Sequence, residues 1–97
     1  MRKLELINKV SKVTGIDRQD VNETVEATIH TIKQALVNGD SVFIRGFGSF
    51  VNKKRGKKIA RNISTNTALI LEAHYVPSFK PSKRFVESVK KNNKVNN

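Results

Sequence analysis

Six of the nine residues from 53 to 61 are bases: Lys53, Lys54, Arg55, Lys57, Lys58 and Arg61. No acid lies among them. Ammonium and guanidinium groups at this density suit one task, the neutralisation of a row of phosphates or of another polyanion. Without counter-charge they repel one another, so a merely solvated surface explains the run poorly. An extended backbone sends alternate side chains to opposite sides. Lys53, Arg55, Lys57 and Arg61 then share one face, and Lys54 and Lys58 take the other. Lys80, Lys83 and Arg84 lie outside the run. They lengthen the positive track, helped by the N-terminal end of a short helix.

The charge excess belongs to one half of the chain. The 97 residues carry 19 Lys and Arg against 8 Asp and Glu, a net charge of +11. Residues 1–44 hold six bases and six acids, whereas residues 45–97 hold thirteen bases against Glu72 and Glu87. Such asymmetry divides a small domain into a scaffold half and a contact half. Nucleic acid is the first partner it suggests, and an acidic membrane surface or heparin-like polymer the second. No apolar run approaches the roughly 18–20 residues of a membrane span, and no signal-peptide core is present. A soluble, cytoplasmic protein with no membrane partner is expected.

Other chemistries find little support. There is no Cys, so disulfides and thiolate metal sites are excluded. His30 and His74 fall in different elements, and no metal-ligand spacing, nucleophile elbow or phosphate loop is present. Gly46-Phe47-Gly48 is followed by no helix signal and reads as a turn around a core Phe. No enzyme activity, cofactor or metal is expected. A helix-turn-helix reading fits the spacing of the first two helices. It fails on charge, because residues 17–38 hold four acids and two bases where a recognition helix needs donors. The five Phe and single Tyr suit a core better than a base-stacking platform, and Phe43, Phe47, Phe50, Phe79 and Phe85 are assigned to it.

The elements that must position the bases follow from periodicity. Leu4, Ile7 and Val10 recur at helical spacing, and Gly15 ends that helix. Asp17 caps a longer one with an apolar stripe of Val21, Val25, Ile29, Ile32 and Leu36. These stripes exceed what so small a chain can cover, which calls for a subunit interface. Residues 41–45 and 49–52 read as a hairpin about the Gly46-Phe47-Gly48 turn. Residues 62–67 are a polar turn between two extended arms, which together form a projecting two-stranded ribbon. About ten residues per arm would reach roughly 33 Å. Pro77 suits an edge strand, and Ser82 caps a last helix with Phe85, Val86 and Val89 on its apolar face. The expected organisation is one domain over residues 1–90. It comprises a helical base at 3–38, saddle strands at 41–52 and 76–80, an arm at 53–75 and a last helix at 82–90. A disordered tail follows at 91–97.

Three stretches, in register, carry a specific resemblance. Gly46-Phe47-Gly48-Ser49-Phe50, then Arg61-Asn62, then Val76-Pro77-Ser78-Phe79-Lys80-Pro81 closely resemble the bacterial HU/integration host factor family of DNA-bending proteins. The resemblance spans about residues 1–90. It implies an α+β fold: a two-helix N-terminal base, a three-stranded antiparallel sheet with a long protruding β-ribbon arm, and a short C-terminal helix, in an intertwined dimer. By position, Arg55, Lys58, Arg61 and Asn62 would lie along the arm in the minor groove. Lys3, Lys80 and Lys83 would meet flanking phosphates, and Phe47, Phe50 and Phe79 would form the core cluster. Lys53, Lys57 and Thr65 complete the expected DNA contacts. One position departs from the family. Where the family typically has the Pro that wedges between base pairs, this chain has Ile63. Ile is also a known wedge, but it lacks the fixed φ of Pro. Wedging is the favoured role, and packing on the groove floor is the competing one.

The function expected is architectural. The protein would bind double-stranded DNA in the minor groove, bend and compact it with low sequence specificity, and belong to the nucleoid. Bent, nicked or gapped duplexes would be preferred, because bending a smooth duplex by 40–90° costs on the order of 1–6 kcal/mol. A homodimer is expected, with a heterodimer of this chain and a paralogue as the other pairing. Two alternatives stand beside this reading: a sequence-preferring bender of the integration-host-factor type, and a basic RNA-binding protein. A third, from another class, is an interaction protein that docks its basic half on acidic partners.

Overall fold

Apolar side chains at helical spacing open the chain, and the computed structural model of the protein places α1 over Lys3–Thr14. It describes residues 1–62 and 67–93, with the backbone alone at 60–62. Gly15 ends α1 at φ 76°, a left-handed conformation that a side chain would disfavour, and its N–H donates to the Ser11 carbonyl at 2.8 Å. Asp17 then starts α2 (Arg18–Val37), its Oδ2 accepting the Gln19 N–H at 3.1 Å. Two side-chain bonds cross between the helices. Lys3 donates to Glu26, and Arg18 Nη1 donates to Asn8 Oδ1 at 3.3 Å. The chain forms two compact units, Met1–Ala35 and Leu36–Asn97.

The second unit is built on antiparallel ladders. Its strands are β1 (Val42–Ile44), β2 (Gly48–Arg55), β3 (Lys58–Asn62), β4 (Thr67–Leu71) and β5 (His74–Pro81), followed by the helix α3 (Lys83–Asn92). A three-stranded sheet has the order β1-β2-β5, and β3 and β4 pair as a separate two-stranded ribbon. This is the α+β arrangement the sequence leads one to expect. Among the described residues β5 pairs with β2 alone. Pro77 and Pro81 are four residues apart and so have the same parity. Their missing N–H groups belong on the open edge, where no ladder bond is lost.

One core organises this unit. Val42, Phe50 and Phe79 form a cross-strand row, because Val42 faces Phe50 and Phe50 faces Phe79. The Phe50 and Phe79 rings lie 4.9 Å apart, Phe47 is 4.9 Å from Phe79, and Phe85 of α3 stacks on Phe47 at 5.4 Å. Tilted rings at these separations are the favoured aromatic geometry. Gly48 is required by close approach. A Cβ there would run into the Lys80 carbonyl oxygen and stand 2.7 Å from the Phe79 ring. Ser82 joins the turn to α3, donating its N–H to the Phe47 carbonyl at 2.8 Å. Its hydroxyl accepts the Phe85 N–H at 3.2 Å. Asn52 Nδ2 donates to the Leu36 carbonyl at 2.8 Å, satisfying one of the acceptors left over at the end of α2.

Three boundaries differ from expectation. The β2–β5 ladder does not stop at residues 52 and 76 but runs on to the Arg55–His74 pair. α3 continues past residue 90 to Asn92, into the segment expected as a tail. Asn92 Nδ2 donates to the Ser88 carbonyl at 2.9 Å and Asn93 N–H to the Val89 carbonyl at 2.9 Å, so the helix end is satisfied rather than frayed. Residues 94–97 lie outside the described residues. Phe43, expected in the core, is 75% exposed. Its register partner is Ser49, which places it on the sheet face opposite the Phe50–Phe79 row.

Candidate nucleic-acid interface

Ladder register decides which bases stand together. In β2, Lys53 faces Val76, Lys54 faces Tyr75 and Arg55 faces His74. In β3, Lys58 faces Leu71. Between the two ladders, Gly56-Lys57 on one strand and Glu72-Ala73 on the other belong to no strand. Both strands skip the same two residues, so the register passes the break without a slip. The alternation that put Lys53 and Arg55 on one face and Lys54 on the other holds within β2. Lys57 sits in the break, where no ladder fixes its face.

Burial falls steadily along this path. Gly48 is buried, Ser49 to Asn52 are half-buried, and Lys53, Lys54 and Arg55 are exposed. Lys57 and Lys58 are exposed as well. Among the described residues none of these five forms an ion pair. Their charge is therefore available to a ligand. His74 sits at the root of the arm, its Nδ1 2.8 Å from the Glu72 carbonyl. That carbonyl accepts, so Nδ1 carries the proton and Nε2 is left to solvent.

Lys80 and Lys83 are exposed at the far end of β5 and the start of α3. Lys80 pairs with Ser49, in the same cross-strand row as Phe43. That row lies opposite the phenylalanine core, so the sheet separates an aromatic face from a face carrying Phe43, Lys80 and Lys53. Phe43 is the residue that sequence reasoning missed here. Counting parity from Phe50 back through the turn would have found it, had the Val42–Phe50 register been known. Lys3 belongs to the other unit and is paired with Glu26. The hydrogen bond from Lys3 and the nearness of its charge hold the Glu26 carboxyl below its usual range. Arg61 and Asn62 are placed only by backbone, opposite Ala68 and Thr67. Ile63 and Thr65 lie outside the described residues.

The bases thus occupy one extended ribbon and the sheet face at its root. Among the described residues there is no group of His, Asp and Glu that could hold a metal ion. No described helix is long and apolar enough to cross a membrane. The sequence model of the family described as bacterial DNA-binding protein matches residues 1–90. This chain belongs to that family. Its relatives within the family include the DNA-binding protein HU of Geobacillus stearothermophilus, 38% identical over 90 residues that cover 93% of this chain and all of the relative. Among solved structures, the Anabaena HU–DNA cocrystal structure superposes with a TM-score of 0.87 at 34% identity, covering 92% of this chain and 97% of that one. The V42I mutant of HU from Thermotoga maritima superposes with a TM-score of 0.72 at 36% identity, covering 93% of this chain and all of that one. All three match this chain almost end to end.

Proposed function

We propose that the protein is an architectural double-stranded DNA-binding protein of the nucleoid, and so of the bacterial cytoplasm. It acts as a homodimer that lays two ribbon arms in the minor groove and bends the duplex with low sequence specificity. The observation that carries this reading is the unpaired charge of the arm. Lys53, Lys54 and Arg55 at the outer end of β2, Lys57 in the break and Lys58 at the start of β3 stand exposed, and among the described residues none of them forms an ion pair. Each Lys or Arg that meets a phosphate releases condensed counterions, which supplies affinity without reading sequence. The DNA in the Anabaena cocrystal structure favours DNA over RNA as the ligand.

In this reading Lys53, Arg55, Lys57, Lys58, Arg61, Asn62 and Thr65 follow the groove, and Ile63 wedges between base pairs at the kink. Lys80 and Lys83 hold the flanking phosphates. Lys3 would also meet one, but it starts from its bond to Glu26 and so adds less to the salt dependence than an unpaired lysine. Dimerisation accounts for the sparse core. Among the described residues only Ile7 and Val21 are buried hydrophobics, at 3% and 4% exposure, while Leu4 and Ile29 of the helical stripes stay exposed. A second subunit covers such stripes.

Fluorescence anisotropy on intact and nicked duplexes of equal length, across a salt series, tests the proposal. A log–log slope of roughly −6 to −9 is expected, from about 7–10 neutralised phosphates. Binding should be tighter to the nicked duplex. The same slope with no preference for the nick would leave a basic coat protein that does not bend DNA. End-to-end energy transfer on the same duplexes checks the wedge: Ile63→Ala should reduce the bend, and an equal bend would remove that role from Ile63.

A further inference from the structure

We infer that Ile59 and Ile70 form an apolar contact with the deoxyribose walls of the minor groove, so that part of the arm's affinity for duplex DNA is insensitive to salt. The inference rests on the proposed function and concerns two residues that the charge reading leaves unused. Ile59 and Ile70 are direct register partners in the β3–β4 ladder. Directly opposed side chains share one face with their Cβ atoms about 4.5–5.5 Å apart, so the pair makes one continuous patch. Both are strongly exposed, Ile59 at 77% and Ile70 at 58%. Among the described residues no third strand lies beside them, because β3 pairs only with β4.

Chemistry on either side of the pair selects its occupant. Lys57 and Lys58 precede Ile59, and Arg61 holds the register position two residues beyond it, opposite the small Ala68. A ligand for this stretch must offer negative charge on both sides of an apolar strip. The minor groove does so, with phosphates along its two rims and sugar C–H groups between them, at a width of about 6 Å in B-form. The arm of a second copy would instead bring like charges together, Lys57 and Lys58 against their equivalents, at a cost that two isoleucines offset poorly. Apolar burial against sugar releases ordered water but no counterions. It therefore adds a constant to log K without altering its slope against log salt.

The test is the double variant Ile59→Thr/Ile70→Thr, which keeps β-branched side chains and hence the strand preference. It is compared with the wild type on a nicked duplex across the same salt series. Affinity should fall about tenfold at every salt concentration, the scale of losing a few buried methyl or methylene groups. The slope should stay unchanged, and the heat-capacity change on binding should become less negative. Ile59→Val/Ile70→Val should recover most of the affinity. Three results would overturn the inference: equal affinity, a loss of affinity that comes with a shallower slope, or a loss tracked by altered sedimentation of the DNA-free protein. The last would assign the pair to arm–arm contact between copies. A wild type without steep, salt-dependent duplex binding would remove the proposed function itself. A steep wild type matched by an equally tight variant would remove only this inference.

Discussion

The β2–β5 and β3–β4 ladders are the same antiparallel structure in one unbroken register, yet they do opposite things with their side chains. The first ladder sets Phe50 against Phe79, with Phe47 and Phe85 packed on them. The second turns every described side chain to solvent. Backbone pairing alone leaves a two-stranded ribbon marginal in water. The ladder with a ring cluster is held by folding, and in the proposed function the other is completed by its ligand. Stability and affinity should therefore separate along the chain, and each region can be broken without the other.

Phe79→Ala should have the largest effect. It removes a ring that takes part in three of the five aromatic contacts in the cluster. A loss of about 3–5 kcal/mol is expected in denaturant unfolding, with binding lost alongside the fold. Arg55→Ala/Lys58→Ala works in the reverse sense. Affinity should drop by roughly two orders of magnitude at low salt, and the salt slope should shrink by about one for each lost phosphate contact. The melting temperature should not move; a lower one would mean that the arm bases contribute to folding, against the comparison. Ser82→Ala removes the hydroxyl that accepts the Phe85 N–H and should cost about 1 kcal/mol of stability, with the salt slope intact.

The smallest effect concerns Glu26. Its carboxyl titrates below the usual range because Lys3 donates a hydrogen bond to it and places a positive charge beside it. The pair therefore contributes stability above the ordinary glutamate pKa and loses that contribution as pH falls through the lowered value. Thermal melts between pH 6 and pH 3 should show slightly less acid sensitivity for Glu26→Gln than for the wild type. A full-sized acid response in the variant would show that the pair is not coupled to folding.

Much of this was legible in the sequence because it is local. Gly15, Asp17 and Ser82 end or start helices through bonds to residues at most four positions away, and the residue types say so. The arm was legible for a different reason: a run of bases with few large apolar residues cannot fold upon itself. What escaped depends on register, which no local pattern states. The break at Gly56-Lys57, the exposure of Phe43 and the pairing of Ile59 with Ile70 all follow from which residue faces which across the ladder. Asn52 reads as one more polar strand residue until its amide is seen donating to the Leu36 carbonyl, sixteen positions back. Ile63 and Thr65 lie beyond what the structure describes, and their roles stay with the proposal.

The slip-free break in the arm sets a rule for how such an arm can change length. Arg55 still faces His74 and Lys58 still faces Leu71, because two residues drop out of the ladder on each side. Removing a single residue from one strand would turn the outer ribbon over. Lys58 would move to the side now held by Ile59, and charge and hydrocarbon would exchange places along the groove. Removing one residue from each strand would restore the pairing but still invert the faces relative to the root. Viable lineages of this arm should therefore vary by matched pairs of residues on both strands, a constraint on drift that no single position reveals.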